Sequence, residues 1–174
     1  MDPVARVGEP APDFDLHDLE GRPRRLADVR GRILVFNFWS AECPHSERID
    51  RVLSGLQPAW SGRVSVWWLA PNANEPDDLL KQMAEQRQIG PVLRDEGQVI
   101  AGRYGAQTTP HIFVVDAAGV LRYSGAPDDV GFRQRAPTRH FLANAVQALL
   151  EGRSPEPAST APFGCALVRM PFNP

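Results

Sequence analysis

Two hydrophobic patterns alternate along the chain, and together they predict a sheet with helices packed on it. Residues 33–39 are apolar at both alternating positions, which is typical of a central strand buried on both faces. Residues 64–70, rich in valine and tryptophan, predict a second strand. Between these runs, over residues 49–56, apolar side chains recur at the i, i+3, i+4, i+7 spacing of one helix face. This part of the chain therefore has the order strand, helix, strand.

The same alternation continues toward the carboxyl end. Another amphipathic helix is predicted over 77–87, and strands over 111–115 and 120–124 flank a short turn, which indicates an antiparallel hairpin. A last helix is predicted over about 138–150. Alternating strands and helices favour a parallel core. With the hairpin added, we predict an α/β chain with a central mixed β-sheet flanked by helices.

The two ends of the chain differ from this middle part. Residues 8–32 hold turn formers and charges around two short extended runs, which predicts an N-terminal β-hairpin. Residues 154–162 are rich in proline, alanine and serine and predict an extended stretch. We therefore predict one domain over 1–152, followed by a proline-rich C-terminal tail over 153–174 that carries Cys165.

Composition and charge narrow the function. The chain has 174 residues, 43% of them hydrophobic and 23% charged, which fits one folded domain. Its net charge of −2 provides no positive field, so we expect no nucleic-acid partner. The longest apolar stretch is too short to span a bilayer, and residues 1–4 carry no basic and apolar leader. We expect no membrane span, no cofactor and a cytoplasmic location; an extracytoplasmic location stays open for a chain whose leader has been removed.

Cys43 stands where a thiol gains reactivity. It follows the first central strand and precedes Pro44, and proline favours the first position of a helix, so Cys43 is predicted to be the N-cap. The N–H groups and the positive end of the helix dipole stabilise a thiolate there, and a protonated His45 would add a second positive charge. The sequence therefore predicts a nucleophilic cysteine; the alternative is a buried, inert one.

The residues around Cys43 resemble those of a known family. The stretch 36–46, Phe-Asn-Phe-Trp-Ser-Ala-Glu-Cys-Pro-His-Ser, resembles the active-site turn of thioredoxin-like redoxins of the alkyl hydroperoxide reductase and thiol-specific antioxidant (AhpC/TSA) family. Thr109-Pro110 is similar to that family's cis-proline, which faces the reactive cysteine, and residues 8–14 are similar to its usual opening. The resemblance extends to about residue 150. It implies a thioredoxin-like fold and a thiol-based redox activity.

Two departures from the family pattern bear on the reaction. Ser46 stands where thioredoxins carry a second cysteine, so a local dithiol cannot form, and we expect Ser46 to be a polar helix residue that faces solvent. Peroxiredoxins carry a proline and a Ser or Thr before their peroxidatic cysteine. Here Phe36 replaces the proline, whereas Ser40 fits. We therefore favour thiol–disulfide exchange, and peroxiredoxin-like reduction of hydroperoxides stays open as the alternative.

Cys165 is the candidate for the missing partner thiol. It follows a stretch of about a dozen residues that in extended form reaches about 3 Å per residue and can cross a small domain. Phe163-Gly164-Cys165 also resembles the C-terminal Gly-Cys segment of some peroxiredoxin-like proteins. We therefore expect Cys165 to resolve an intermediate formed on Cys43; the alternative is a dispensable tail thiol. The implied partners are a protein or small-molecule disulfide or hydroperoxide and an external thiol electron donor.

Two hypotheses from other classes stay open. Sulfur and imidazole ligands from Cys43, His45, His111 and Cys165 around one pocket would suit copper or zinc, as in metallochaperone relatives of the fold. The chain could also be a non-enzymatic interaction module that kept the fold and lost the dithiol. For the favoured hypothesis, the candidate catalytic residues are Cys43, Cys165, Pro110, Thr109, His45 and Ser40.

Overall fold

The computed structural model describes residues 3–169. In chain order the strands are β1 Asp15–Asp18, β2 Pro23–Arg25, β3 Ile33–Phe38, β4 Val64–Ala70, β5 Val92–Arg94, β6 Thr108–Thr109, β7 His111–Val115, β8 Leu121–Gly125 and β9 Cys165–Ala166. The α-helices are α1 Pro44–Trp60, α2 Asp77–Arg87, α3 Val99–Tyr104 and α4 Phe141–Leu150. Over the described residues, none of the helices has the length and apolar character needed to cross a membrane.

A seven-stranded mixed sheet in the order β2-β1-β5-β4-β3-β7-β8 forms the centre of the molecule. β3, β4 and β5 run parallel, and β7 pairs antiparallel with β3 on its other side. The predicted N-terminal hairpin of β1 and β2 lies at one edge, and the predicted β7–β8 hairpin lies at the other. The prediction of a central mixed sheet with helices and an N-terminal hairpin is confirmed.

Every residue of β3 is buried, which shows that both faces of the sheet are covered. On one face α1, α2 and α4 contribute buried apolar side chains such as Ile49 and Leu142. On the other face an aromatic cluster forms, in which the rings of Phe14, Phe36 and Tyr104 pack edge to face. With both faces occupied by core, chemistry on this sheet is confined to the ends of its strands.

Several short elements escaped the sequence patterns. β5 has three residues and α3 has six, which is too short for a period of two or of 3.6 to become visible. β6 and β9 have two residues each, and they pair across a long stretch of chain. These elements are defined by their tertiary partners rather than by their own residue pattern.

The last helix begins at Phe141, later than the predicted residue 138. The reason is the carboxylate of Asp129, which accepts the backbone N–H groups of Thr138 and Arg139 at 2.8 and 3.0 Å and the hydroxyl of Thr138 at 2.6 Å. These bonds hold the chain in a turn, as Asp side chains often do in loops. The apolar pattern therefore predicted α4 correctly. Its start is later than predicted because the Asp129 carboxylate bonds the backbone of residues 138 and 139 in place of helical hydrogen bonds.

The tail is extended, as predicted, but it packs on the domain. Ser159 bridges Ser124 of β8, and the Ala126 N–H donates to Oγ1 of Thr160 at 2.9 Å. At Gly125 a Cβ atom would overlap the backbone of Thr160, so this crossing requires glycine. Farther along, β9 pairs with β6. The predicted division into a domain 1–152 and a tail 153–174 stays a prediction.

Asp50, on the inward face of α1, is the centre of a buried polar network. Its carboxyl group accepts hydrogen bonds from Nε1 of Trp39 at 2.9 Å and Nε1 of Trp68 at 2.8 Å. Arg87 contributes Nη1 to Asp50 at 3.1 Å and Nη2 to the carbonyl oxygen of Ala41 at 2.6 Å. Burial raises the pKa of Asp50 above its usual range. The network ties β4, α2 and the turn after β3 to α1.

Replacing Asp50 by alanine should destabilise the protein by about 3–5 kcal/mol, because a guanidinium and two indole N–H groups would stay buried without their acceptor. Urea unfolding measures the loss. The matched control is Arg51→Ala, which removes an exposed ion pair with Glu47 on the same helix and should cost less than about 1 kcal/mol. Equal losses in the two variants would show that the network does not hold the helix in place.

Candidate active site

Cys43 occupies the N-cap of α1, at the end of the turn that follows β3, and Pro44 is the first helical residue. Both positions agree with the sequence prediction. The carbonyl oxygen of Cys43 accepts the Glu47 N–H at 3.1 Å, and the side chain is only 3% exposed. Its side chain makes no capping hydrogen bond, so the first-turn N–H groups keep their capacity to stabilise negative charge on the sulfur.

A disulfide joins Cys43 to Cys165, with the two Cα atoms 6.3 Å apart. The cysteines are separated by 122 residues in the sequence, so the bond brings the tail onto the start of α1. Cys165 lies in β9, directly opposite Thr109 of β6. Because Cys43 is buried and Cys165 is partly exposed, the tail cysteine is the more accessible of the two.

Thr109 and Pro110 form the wall beside the disulfide. The peptide bond between them is cis, as the sequence predicts. The carbonyl oxygen of Thr109 lies 3.1 Å from Sγ of Cys43, where it can accept a hydrogen bond from the thiol of the reduced protein. Four of the six candidate residues, Cys43, Cys165, Thr109 and Pro110, therefore meet at one place.

Ser40 contacts a carboxyl group that the sequence analysis missed. Its hydroxyl donates to Oε1 of Glu75 at 2.7 Å, and the same oxygen accepts the Glu42 N–H at 2.9 Å. Glu75 is fully buried, and its second oxygen has no hydrogen-bond partner within residues 3–169. Its partners lie 33 and 35 residues away, so no local spacing could have indicated it. Glu75 fixes the backbone of the turn that delivers Cys43.

Ser46 is buried, and the expectation that it faces solvent is wrong. Its hydroxyl oxygen accepts the backbone N–H of Ser40 at 3.3 Å. Ser46 lies three and seven residues before Ile49 and Leu53, so it shares the inward face of α1 with them. The position that holds a second cysteine in thioredoxins is therefore part of the turn's packing in this chain.

His45 lies beside the tail. Its ring centroid is 4.9 Å from that of Phe163, which in turn lies 5.0 Å from the ring of Phe132. Phe132 is 90% exposed and belongs to the loop before α4. A bidentate ion pair between Arg48 and Asp128, at 2.8 and 2.9 Å, fastens that loop to α1. The contact that the structure shows for His45 is thus with the tail.

His111, a member of the hypothetical metal site, has other partners. Its Nδ1 accepts the Gln107 N–H at 3.2 Å, so the remaining proton lies on Nε2, 3.3 Å from Oγ of Ser124. Burial lowers the pKa of His111 to about 4. Within residues 3–169 no group of three or more His, Cys, Asp or Glu side chains is arranged to hold a metal ion. The four residues of the metal hypothesis do not form a ligand set.

Comparison with known proteins gives a family and a named activity. A sequence model described as "AhpC/TSA family" matches residues 7–124. A thiol-disulfide oxidoreductase ResA from Geobacillus thermodenitrificans is 35% identical over 117 residues, which are 67% of this chain and 67% of that protein.

Two solved structures match the chain over nearly its whole length. A hypothetical protein from Sinorhizobium meliloti 1021 has a TM-score of 0.87 at 26% identity, covering 98% of both chains. An uncharacterized conserved protein from Geobacillus kaustophilus has a TM-score of 0.83 at 27% identity, covering 99% of this chain and 95% of that one. The likeness therefore includes the tail as well as the sheet.

Substitutions at Glu75 test whether its carboxylate holds the turn before α1. Glu75→Ala should destabilise the protein by about 1–3 kcal/mol for each donor left without an acceptor, namely the Ser40 hydroxyl and the Glu42 N–H. Glu75→Gln, whose amide oxygen can accept the same bonds, should lose less. Glu42→Ala is the control, because that side chain is exposed and its backbone N–H is kept. Urea unfolding measures the loss of unfolding free energy in each variant. Equal losses in Glu75→Gln and Glu75→Ala would contradict the prediction.

The buried His111 should make the stability of the protein depend on pH. Between pH 6.5 and 4 the unfolded chain protonates His111 while the folded chain, with a pKa of about 4, does not. Falling pH therefore favours unfolding in this window, by at most about 3 kcal/mol. His111→Asn should remove this part of the pH dependence, and His17→Asn, at an exposed histidine, should keep it. Parallel curves of unfolding free energy against pH for wild type and His111→Asn would refute the assignment.

Proposed function

The chain belongs to the AhpC/TSA family, and we propose that this thiol-disulfide oxidoreductase uses Cys43 as its nucleophile and Cys165 as its resolving cysteine. The family, the thioredoxin-like fold and the oxidoreductase activity were predicted from the sequence and are confirmed. The observation that carries the assignment of residues is the disulfide between a helix N-cap and the tail.

The different surroundings of the two sulfurs support their roles. Cys43 lies at the N-terminus of a helix of 17 residues, where N–H groups and the helix dipole stabilise a thiolate. Cys165 lies in a two-residue strand. A stabilised thiolate is both a populated nucleophile and a good leaving group at neutral pH. Cys43 is therefore the sulfur that attacks the substrate and that later leaves when a donor reduces the enzyme.

The proposed cycle begins with the reduced protein. The Cys43 thiolate attacks one sulfur of the substrate disulfide, a bond forms between these two sulfurs, and the other substrate sulfur leaves as a thiolate. Cys165, after losing its proton, then attacks Sγ of Cys43 and releases the second substrate thiol. Two electrons have passed from the enzyme dithiol to the substrate. An external dithiol returns them by reducing the Cys43–Cys165 bond.

The other candidate residues are assigned to positioning. Thr109 and Pro110 supply the backbone edge and the carbonyl oxygen beside Sγ of Cys43. Ser40 holds the turn through Glu75, and His45 contacts the tail through Phe163. The substrate is a protein or small-molecule disulfide, and the cytoplasmic location stays a prediction.

Matched cysteine variants test the proposal. Cys43→Ser should lower the rate of disulfide reduction to the background of the assay, because the attacking sulfur is lost. Cys165→Ser should keep the first exchange and lose turnover, so that a mixed disulfide on Cys43 accumulates in a one-to-one ratio with the protein. Mass spectrometry after a single addition of substrate measures the adduct, and a dithiol-driven assay measures turnover.

Each variant is the control for the other, since both exchange one sulfur for one oxygen. Full activity in Cys43→Ser would refute the nucleophile, and full turnover in Cys165→Ser would assign resolution to an external thiol. The same three proteins are assayed with hydrogen peroxide. Phe36, which stands in place of the peroxiredoxin proline, is buried and stacked on Phe113, so we expect peroxide consumption to be slower than disulfide exchange. The opposite order would favour the peroxidase alternative.

A further inference from the structure

The tail segment 163–167 lies on the active site in the manner of a bound peptide. Its strand β9 pairs antiparallel with β6, in a register that places Cys165 opposite Thr109. Backbone pairing along an exposed edge is a general way to hold an extended segment of any sequence. The edge of β6 therefore presents a cysteine of such a segment to Sγ of Cys43.

Side-chain contacts on both sides of Cys165 add selectivity to this pairing. Leu167, two residues after the cysteine, is 7% exposed and joins the aromatic core cluster. Phe163, two residues before it, contacts the rings of His45 and Phe132. Ala166 is exposed. The groove thus offers one subsite for an aliphatic side chain and one for an aromatic side chain, whereas the residue after the cysteine faces solvent.

Gly164 makes the closest approach of the segment to the wall. A Cβ atom at this position would overlap the carbonyl oxygen of Thr109 and would lie 2.9 Å from Cδ of Pro110. The Thr109 backbone is paired with the tail and lies against the reacting sulfur, so it has little freedom to move. Only glycine fits directly before a cysteine that is bound in this register.

We propose that the groove along β6 binds the substrate polypeptide in the register now held by the tail, and that it selects extended segments of the form aromatic, glycine, cysteine, any residue, leucine. This inference rests on the proposed function and names the substrate class of the same site. The tail is then an internal competitor: it occupies the groove in the oxidised protein, and it must leave before a substrate segment binds.

The reaction in the groove is the first exchange of the proposed cycle. The Cys43 thiolate attacks the sulfur of the segment's cysteine, a bond forms between these sulfurs, and the sulfur previously bonded to that cysteine leaves as a thiolate. The bound segment then holds the place of β9. The tail regains this place only when the segment peels away, which brings Cys165 to Sγ of Cys43 and releases the substrate.

Pentapeptides that carry a thionitrobenzoate disulfide on their cysteine test the selectivity. Phe-Gly-Cys-Ala-Leu is compared with Phe-Ala-Cys-Ala-Leu, using the full-length reduced Cys165→Ser protein and the release of coloured thionitrobenzoate. Each rate is divided by the rate of the same peptide with glutathione, which removes differences in intrinsic reactivity. We expect the alanine peptide to react at least about ten-fold more slowly, because its methyl group would overlap the Thr109 carbonyl. A smaller ratio would overturn the proposal.

The same substitution placed in the tail should act in the opposite direction. Gly164→Ala in the Cys165→Ser background weakens the internal competitor, so Phe-Gly-Cys-Ala-Leu should react faster than it does with Cys165→Ser alone. An unchanged or lower rate would also overturn the proposal. The peptide comparison uses one protein throughout, so it stands independently of how well the Gly164→Ala variant folds.

A small substrate separates this inference from the proposed function. The symmetric disulfide of thionitrobenzoate has no backbone to pair with β6, and it should react with Cys165→Ser and with the Gly164→Ala variant of that protein. The double variant Cys43→Ser, Cys165→Ser has no thiol at the site and gives the background rate. If Cys165→Ser reacts with this reagent but reacts at equal rates with the two peptides, the inference is overturned and Cys43 is kept as the nucleophile. No reaction above the background rate with any of them overturns both.

Discussion

The complete burial of β3 is the constraint on which the site depends. All six residues of this strand are buried, with β4 and β7 on its two sides and core on both faces. A reacting group can therefore lie only where the chain leaves the strand. That exit is held from two directions, by Glu75 under the backbone of the turn and by Arg87 on the carbonyl of Ala41. The packed core therefore fixes the position of Cys43. Thiol–disulfide exchange requires three sulfurs in line, and a rigidly held Cys43 favours that alignment.

The second cysteine reaches this point because the tail can approach the domain closely at two places. At Gly125 a Cβ atom would overlap Thr160 of the tail, and at Gly164 it would overlap Thr109 of the domain. One glycine belongs to the domain and the other to the tail, and each permits backbone to lie against backbone. Only a few residues separate Thr160 from Gly164, so a tail that stays packed at Gly125 limits how far Cys165 can move from Cys43. The tail is therefore packed against the candidate site at defined positions.

The sequence predicted the parts of the structure that have their own periodicity or a local motif. The strand and helix around Cys43 were found from a two-sided apolar run, a proline and a helical spacing, and the cis bond before Pro110 came from the family resemblance. The burial of Ser46 was missed because a polar side chain was expected to face solvent, although its spacing to Ile49 and Leu53 places it on the inward face of α1, where its hydroxyl accepts the Ser40 N–H. Glu75 and the pairing of β6 with β9 were missed for a different reason, since both depend on residues far away in the chain.

In the proposed cycle the resolving thiol lies in the tail, and this position determines the order of events. Ser46 lies in the first turn of α1, three residues after Cys43, so a cysteine at that position would need no movement of the tail to reach a mixed disulfide on Cys43. Cys165 reaches Cys43 only when β9 is paired with β6, on the edge that an incoming extended segment would use. The backbone of the bound segment must therefore separate from β6 before Cys165 can attack. Until that attack, only the disulfide bond to Cys43 holds the segment on the protein. In that cycle, resolution requires that the segment has left β6, so a segment that pairs well with β6 would delay its own release.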